Sequence, residues 1–295
     1  MEPHRIRSIV RLSVVVGLVL GQATAVAARD FLWKVSGKSG VVYLVGSVHL
    51  LTKDFYPLSS TLEAAFKESS LLVEEADIAD LSTSQSQMQL LARGMLPSSQ
   101  SLDQVVSPAT FADVTKRVGQ LGMPIEPLKR FKPWFLALTL SALEWQKAGF
   151  DAELGLDRHF FDRARKDGKR FIGLETTEFQ MSLFDGLSVD QQERLLVGTL
   201  KDLDTEMANL TKLVQAWKTG DAATIEAIVT KDLKSEPVLY QRLLLDRNRA
   251  WLPKLESLLD GGSARTMVVV GAAHLVGPDG LVAMLKAKGY RVEQM

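Results

Sequence analysis

Two segments of the chain repeat one pattern of hydrophobic and polar positions. They are VVYLVGSVHLL at residues 41–51 and TMVVVGAAHLV at residues 266–276. Each begins with an apolar run rich in β-branched residues, which predicts a buried strand. A glycine, two small or apolar residues and a histidine follow. His49 and His274 therefore fall where two similar strand units end, and in an open α/β sheet ligands bind at that edge.

Elsewhere, strand and helix patterns alternate at both ends of the chain, and the middle is helical. A glycine-containing turn between apolar runs at 31–35 and 41–47 predicts a β-hairpin. The predicted fold class is α/β, or mixed α+β, with a central mixed sheet and a large helical insertion. Further strands are predicted at 70–77, 169–174 and 290–293, and helices at 79–149, 154–167, 188–219, 221–229, 237–259 and 278–288.

The first 28 residues have the pattern of a secretory signal peptide. Arg5, Arg7 and Arg11 precede an apolar run at 12–20, and an Ala-x-Ala cleavage site follows at 25–27. The apolar run is too short for a transmembrane helix, which takes about 20 residues. We therefore expect a periplasmic or secreted protein with no stable membrane span after cleavage. The alternative is an uncleaved amphipathic anchor.

Residues 29–295 are predicted to form a single domain, because no linker rich in Pro, Gly or Ser divides them. The whole chain has 35 basic and 35 acidic residues, and removal of residues 1–28 would take away three arginines and one glutamate. The remaining charge of about −2 does not favour nucleic acid as a partner. The chain has no cysteine, which excludes disulfides, iron–sulfur clusters and thiol catalysis. The sequence also lacks the common motifs of nucleotide-binding proteins and serine hydrolases.

The two strand-end histidines are candidate metal ligands. Two histidines with one or more carboxylates can form a metal site that keeps room for water. His49 and His274 are far apart in the chain, but similar strand units can place them side by side. The alternative is that each histidine is hydrogen-bonded in the turn before a helix.

Glutamates at two other strand ends are candidates for the same site. Glu74 and Glu75 end the strand at 70–77, and Glu175 follows the strand at 169–174. A carboxylate there can complete a metal shell or act as general base. Side chains alternate along a strand, so Glu74 and Glu75 point to opposite faces. We prefer Glu75, although the alternation alone does not decide between them.

An Arg-Asn pair within a predicted helix is the last candidate. Asparagine is unfavourable inside a helix unless it bonds another group, which makes Asn248 notable. Arg247 can clamp a substrate carboxylate or a site glutamate, or form a structural ion pair. His159, in a helix of mixed charge, is interpreted as a histidine on the helix face.

Five sequence blocks stand out along the chain: GSVH at 46–49, LVEEAD at 72–77, GLETTEFQ at 173–180, LLLDRNRAW at 243–251 and VGAAHLVGPDGL at 270–281. Taken in order, they resemble the TraB/GumN family, relatives of the Tiki metalloproteases. The resemblance implies a mixed α/β fold of two related halves, each with a Gly-x-x-His strand end, with the site where these ends meet. It also implies hydrolysis that depends on a divalent metal, as in the Tiki branch. The family pattern places the strand glutamate two residues before an aspartate, which fits Glu75 and Asp77.

The leading hypothesis is an exported metal-dependent hydrolase that cleaves a peptide or amide bond. His49, Glu75 and His274 would hold a manganese, zinc or cobalt ion. Glu175 would be a further ligand or the base, and Arg247 would position the substrate or a glutamate.

Two other functions remain open. The chain is alternatively a non-catalytic periplasmic binding protein for a peptide signal or a saccharide, or an esterase-like enzyme for a small molecule. The expected partner is a peptide or a small molecule in each case, and the sequence does not specify the oligomeric state.

Overall fold

The computed structural model covers most of the chain after the predicted signal peptide. Residues 1–28 lie outside the described residues. No helix in the described part combines the length and hydrophobicity needed to cross a membrane. The described residues are 29–81, 83–203, 206–230, 233–234 and 236–295.

A six-stranded mixed sheet forms the centre of the described fold. Across the sheet the order is β4-β3-β5-β2-β1-β6. The strands from β4 to β2 are mutually parallel, whereas β1 is antiparallel to both of its neighbours. The prediction of a mixed α/β fold is therefore confirmed. The strands are β1 (Leu32–Ser36), β2 (Val41–Ser47), β3 (Leu71–Glu74), β4 (Arg170–Gly173), β5 (Arg265–Gly271) and β6 (Arg291–Gln294).

A turn joins β1 to β2, and helices lie between the other strands that follow one another in the chain. A π turn, Gln241–Leu245, precedes α13, and a 3₁₀ turn, Ala272–His274, follows β5. The helices are α1 (Ser60–Glu68), α2 (Ile78–Leu81), α3 (Ser84–Gly94), α4 (Leu102–Val105), α5 (Pro108–Gln120), α6 (Pro133–Lys147), α7 (Leu156–Lys166), α8 (Thr177–Asp185), α9 (Val189–Leu203), α10 (Glu206–Lys218), α11 (Ala222–Val229), α12 (Pro237–Tyr240), α13 (Asp246–Asp260) and α14 (Leu281–Ala287).

β2 and β5 are neighbours in the middle of the sheet and are buried on both faces. Val42, Leu44 and Val45 in β2 are inaccessible to solvent, as are Met267 and Val268 in β5. Apolar runs without polar alternation are typical of parallel strands that helices cover on both sides. The two similar sequence units therefore form adjacent strands, and their ends lie together.

The helical insertion has a hydrophobic cluster of its own. Leu102 of α4, Val114 of α5, Leu136 and Leu140 of α6, and Leu196 of α9 are buried together in it. The apolar helix α6 is thus a core helix of the insertion.

Three long helical predictions are divided into shorter elements. The segment 188–219 contains α9 and α10. The segment 79–149 contains α2 to α6, because prolines interrupt it and Pro108 and Pro133 each begin a new helix. The segment 237–259 contains α12, the π turn and α13. A π turn changes the helical register and often occurs at a functional site, and here it ends just before Arg247.

Candidate functional site

The two histidine-bearing turns meet at one edge of the sheet. β2 and β5 run parallel, and their register pairs Ser47 with Gly271. His49 follows the end of β2, and His274 ends the 3₁₀ turn after β5. The His274 side chain is 5% exposed, whereas the His49 side chain is 57% exposed. One imidazole is therefore fixed inside the protein and the other borders the solvent.

Gly271 marks the point where the site side chains converge. A Cβ at this position would lie 3.2 Å from Glu75 Oε1, 3.6 Å from His274 Cδ2 and 3.7 Å from His49 Nε2. The Gly271 N–H donates a 2.7 Å hydrogen bond to Glu75 Oε1. Glycine thus leaves the space into which a carboxylate and two imidazoles face.

Arg247 joins the glutamates and the inner histidine. Its Nη2 lies 2.5 Å from Glu75 Oε2 and 2.5 Å from Glu175 Oε1. Its Nη1 lies 3.0 Å from His274 Nε2. The residue is 8% exposed, so its charge is compensated by two carboxylates within the protein. Such hydrogen-bonded ion pairs fix geometry strongly.

Asn248 sets the orientation of His274. Its Oδ1 lies 2.7 Å from His274 Nδ1, and its Nδ2 donates to the backbone oxygen atoms of His274 and Asp279. Arginine can only donate, so His274 Nε2 accepts from Arg247, and His274 Nδ1 carries the proton that Asn248 accepts. Burial, together with the charges of Arg247 and His49, lowers the pKa of His274 to about 3. His274 is therefore a neutral imidazole, and Asn248 has the bonding partners that its place inside a helix requires.

His49 is oriented in a similar way by an aspartate. Asp157, in the first turn of α7, has Oδ2 at 3.2 Å from His49 Nδ1, and its Oδ1 accepts a 2.8 Å hydrogen bond from Ser47. The negative charge of Asp157 raises the pKa of His49 to about 9. The Nε2 atom of His49 is left facing the space beside Gly271.

Glu75 remains ionised despite its burial. Burial alone would raise its pKa, but the positive charges of Arg247 and His49 and the hydrogen bond from Gly271 lower it. One of its oxygens lies 3.8 Å from His274 Nε2. A carboxylate and two imidazole nitrogens therefore surround the same space.

Glu74 differs from Glu75 in its surroundings. It is 2% exposed, and neither carboxylate oxygen has a hydrogen-bond partner. Burial and the neighbouring Asp157 raise its pKa to about 10. Of the two candidate glutamates, the structure thus places Glu75 beside His274 and Arg247.

Glu175 lies behind Arg247. Its carboxylate accepts hydrogen bonds from Arg247 and, at 3.0 Å, from Trp251 Nε1. Its backbone N–H donates to the backbone oxygen of Glu75 at 2.8 Å. Both oxygens of Glu175 are therefore already engaged by donors from α13.

A family profile described as TraB/PrgY/gumN matches residues 31–294. The chain belongs to the TraB/PrgY/gumN family. The resemblance carried by the five sequence blocks is thus confirmed over almost the whole described chain.

The chain is also similar, at low identity, to curated proteins from several organisms. The uncharacterized protein YbaP of Escherichia coli is 28% identical over 244 residues, which cover 83% of this chain and 87% of YbaP. An uncharacterized protein of Treponema pallidum is 21% identical over 272 residues, covering 87% and 80%. The metalloprotease TIKI homolog of Amphimedon queenslandica is 23% identical over 319 residues, covering 90% and 62%. No solved structure matches the chain.

The donor atoms of this TraB/PrgY/gumN protein fit a divalent cation in their chemistry. His49 and His274 each direct Nε2 to the site while Nδ1 is held by an oxygen acceptor, the usual arrangement of metal-binding histidines. Glu75 adds an ionised oxygen. Within the described residues, however, no three His, Asp or Glu side chains are arranged to hold a metal. The guanidinium of Arg247, bonded to both His274 and Glu75, lies among the donors.

An apolar cavity adjoins these polar groups. Its volume is about 280 Å³. His49, Glu75, Arg247 and His274 line its polar side. Its apolar side is formed by Val48, Leu50, Trp145, Leu213, Ile225 and Val229. A ligand held by the polar groups would thus place an apolar part against α6, α10 and α11.

Sequence reasoning missed Asp157 and the apolar wall. Asp157 resembles any acidic residue in the first turn of a helix, so the sequence alone gives no signal of its bond to His49. Leu213 and Ile225 look like ordinary core residues of amphipathic helices, so the sequence alone gives no signal that they line a cavity. His159 does not line this cavity and takes no part in the hydrogen bonds described above. Its ring centroid lies 5.0 Å from that of Tyr56.

Proposed function

We propose that this TraB/PrgY/gumN protein is a divalent-metal-dependent hydrolase that cleaves a peptide or amide bond. The observation that carries the proposal is the convergence of His49 Nε2, His274 Nε2 and Glu75 around Gly271. The similarity to a protein named as a metalloprotease TIKI homolog supports it. We also propose, from the sequence of residues 1–28, that the protein is periplasmic or secreted.

In this proposal His49, His274 and Glu75 hold a manganese, zinc or cobalt ion. A cation bound there would lower the pKa of a water molecule and polarise a carbonyl oxygen. Asp157 and Asn248 keep the two Nε2 atoms directed at the site by bonding the opposite ring nitrogens. Such outer partners affect metal affinity strongly.

Arg247 and Glu175 act as a positioning pair. Arg247 bonds Glu75 directly, while Glu175 bonds Arg247 and the Trp251 indole. Both oxygens of Glu175 are committed to these donors, which favours a role in holding Arg247 over a role as base. Arg247 borders the apolar cavity, but its five N–H groups already bond Glu75, Glu175, His274 and the backbone oxygen of Leu243. This favours a role for Arg247 in positioning Glu75.

The apolar cavity favours a peptide over a saccharide as substrate. A sugar carries a hydroxyl group on most of its ring carbons, and buried hydroxyls without partners are unfavourable. Leu213, Ile225 and Val229 offer such hydroxyls no polar side chain of their own. An apolar amino acid side chain next to the scissile bond matches this wall.

A second candidate function is peptide binding without cleavage. The contact of Arg247 with both His274 and Glu75 favours it, because the same donors can bind a ligand directly while the guanidinium stays in place. Metal analysis and cleavage assays separate the two functions.

The first experiment measures bound metal by mass spectrometry after equilibration with manganese, zinc or cobalt and removal of free ions. About one equivalent is expected in the wild type and in the control His159→Gln, with loss in the double variant His49→Ala, His274→Ala. Negligible metal in all three proteins would contradict the proposal. The second experiment incubates the metal-loaded protein with a peptide library, in which cleavage must be lost in the double variant. Peptide binding without any cleavage would favour the second candidate.

A further inference from the structure

A second, smaller cavity lies on the other side of His49 and Glu75. Its volume is about 140 Å³. It shares Ser47, His49 and Glu75 with the apolar cavity. Glu74, Asp157 and Gln180 form its distinctive wall, and we call it the acidic compartment. The two cavities therefore flank one set of polar side chains.

Glu74 has no partner in the acidic compartment. It is 2% exposed, and both of its oxygens are buried without a hydrogen bond. Its acidic neighbours are bonded: Asp157 contacts Ser47 and His49, and Glu75 contacts Arg247, Gly271 and Gln180. Buried polar groups in native proteins are nearly always paired. The missing partner of Glu74 therefore points to a ligand.

The composition of the wall indicates what this ligand is. No lysine or arginine among the described residues borders the compartment, and the basic residue that does, His49, is already paired with Asp157. Carboxylate oxygens require a donor, and a charged donor forms the stronger bond. Burial keeps Glu74 protonated while the compartment holds no cation. An ammonium or guanidinium group beside it would favour the ionised carboxylate and donate to its oxygens, whereas an anion would lie among the carboxyl groups of Glu74, Glu75 and Asp157.

We propose that the acidic compartment binds a cationic group of the substrate, a lysine or arginine side chain, and that Glu74 determines this specificity. The acidic compartment and the apolar cavity share His49 and Glu75. The substrate is therefore a peptide with a basic residue that enters the acidic compartment and an apolar residue that enters the apolar cavity. The choice of a peptide that is cleaved rests on the proposed function. The binding of the cationic group does not, since Glu74 forms no bond to the candidate metal ligands.

The test compares binding of two peptides to the full protein by calorimetry, with and without added manganese. The peptides are acetyl-Leu-Lys-amide and acetyl-Leu-norleucine-amide, which differ in the amino group. We expect the lysine peptide to bind about tenfold or more tightly. Glu74→Gln should abolish the preference. Glu178→Gln should keep it, because that carboxylate is exposed and lines neither cavity.

The wild-type result is informative even if Glu74→Gln does not fold. Equal affinity for the two peptides, or no binding of either, would overturn the proposal, because the acidic compartment would then not bind the cationic group. A preference for lysine that persists in folded Glu74→Gln would overturn the role of Glu74. If the lysine preference is present and no peptide is cleaved, the proposed hydrolase function fails while the acidic compartment stands.

Discussion

Nη1 of Arg247 lies 3.0 Å from Nε2 of His274, so a permanent cation donates to the lone pair that a metal would need. The arginine cannot give up its proton in a protein, and His274 is therefore held in one neutral tautomer. The same guanidinium neutralises Glu75 and Glu175. Arg247 thus controls the charge of the site and competes with any cation for its donors.

Replacing Arg247 should therefore destabilise the fold itself. Arg247→Ala removes the shared ion-pair partner of two buried carboxylates, which is expected to lower the free energy of unfolding by about 3–5 kcal/mol. The measurement is urea denaturation followed by circular dichroism. Arg194→Ala is the control, because Arg194 pairs with Asp190 and Glu236 at the surface, where ion pairs contribute little. Equal losses in the two variants would contradict the role of Arg247.

The next prediction concerns the pKa of His49, which should fall when Asp157 is replaced. Asp157 raises it to about 9 from an ordinary 6.5, so in Asp157→Asn it should return towards 6.5. The raised pKa stabilises the folded, metal-free protein fully below pH 6.5, and this contribution is lost as the pH rises through about 9. NMR titration of the His49 ring in both proteins measures the shift. The loss of stability with pH should be small, because the side chain is 57% exposed.

The titration of His49 also has a consequence for metal affinity. A bound cation must displace the proton from His49, so wild-type affinity should rise from pH 6.5 towards 9 and level off above. Calorimetric titration with manganese at several pH values tests this. An affinity that does not depend on pH over this range would show that His49 is not a ligand.

The central geometry follows from the sequence because it depends on local pattern. The apolar runs of β2 and β5 predict strands that are buried on both faces, as in a parallel sheet. In the structure these two strands are parallel neighbours, which brings His49 and His274 to one edge of the sheet. Strand alternation separates Glu74 from Glu75 but does not say which faces the histidines. That choice depends on where α13 brings Arg247, and this is a tertiary property.

The remaining features could not be read from the sequence, for identifiable reasons. Asp157 reaches His49 from α7, 108 positions away in the chain, and no local pattern encodes the contact. The apolar wall combines Trp145, Leu213 and Ile225 from three helices. The predicted helix at 237–259 overlooked the π turn, because a π turn keeps the hydrophobic pattern of a helix while changing its register.

Gly46 and Gly271 occupy corresponding places in the two strand units, and alanine at each should have a different effect. A Cβ at Gly46 would lie 2.2 Å from carbons of the Phe31 ring, so Gly46→Ala should cost about 1–3 kcal/mol of stability through overpacking. A Cβ at Gly271 would instead lie 3.2 Å from Glu75 Oε1 and 3.7 Å from His49 Nε2. Gly271→Ala should therefore displace the carboxylate and weaken metal binding by about tenfold or more, as loss of an oriented ligand does.

Thermal unfolding and metal titration of both glycine variants test this pair together. The expected result is a lower melting temperature for Gly46→Ala and a weaker metal affinity for Gly271→Ala. If Gly271→Ala binds metal as tightly as the wild type, the space beside Gly271 is not the metal position.

The apolar cavity gives the final prediction. Val229→Thr keeps the shape of the side chain and adds a hydroxyl to the cavity wall, where a bound apolar group offers it no partner. The kcat/KM for peptides with an apolar residue at the scissile bond should fall several-fold, by about 1 kcal/mol in transition-state binding. Val238→Thr is the matched control, since Val238 is 49% exposed and lines neither cavity. Steady-state kinetics on leucine and serine versions of one peptide measure the effect. The hydroxyl should reduce the preference for leucine. An unchanged leucine-to-serine ratio would mean that the substrate side chain does not occupy this cavity, because a polar atom in contact with that side chain must alter the ratio.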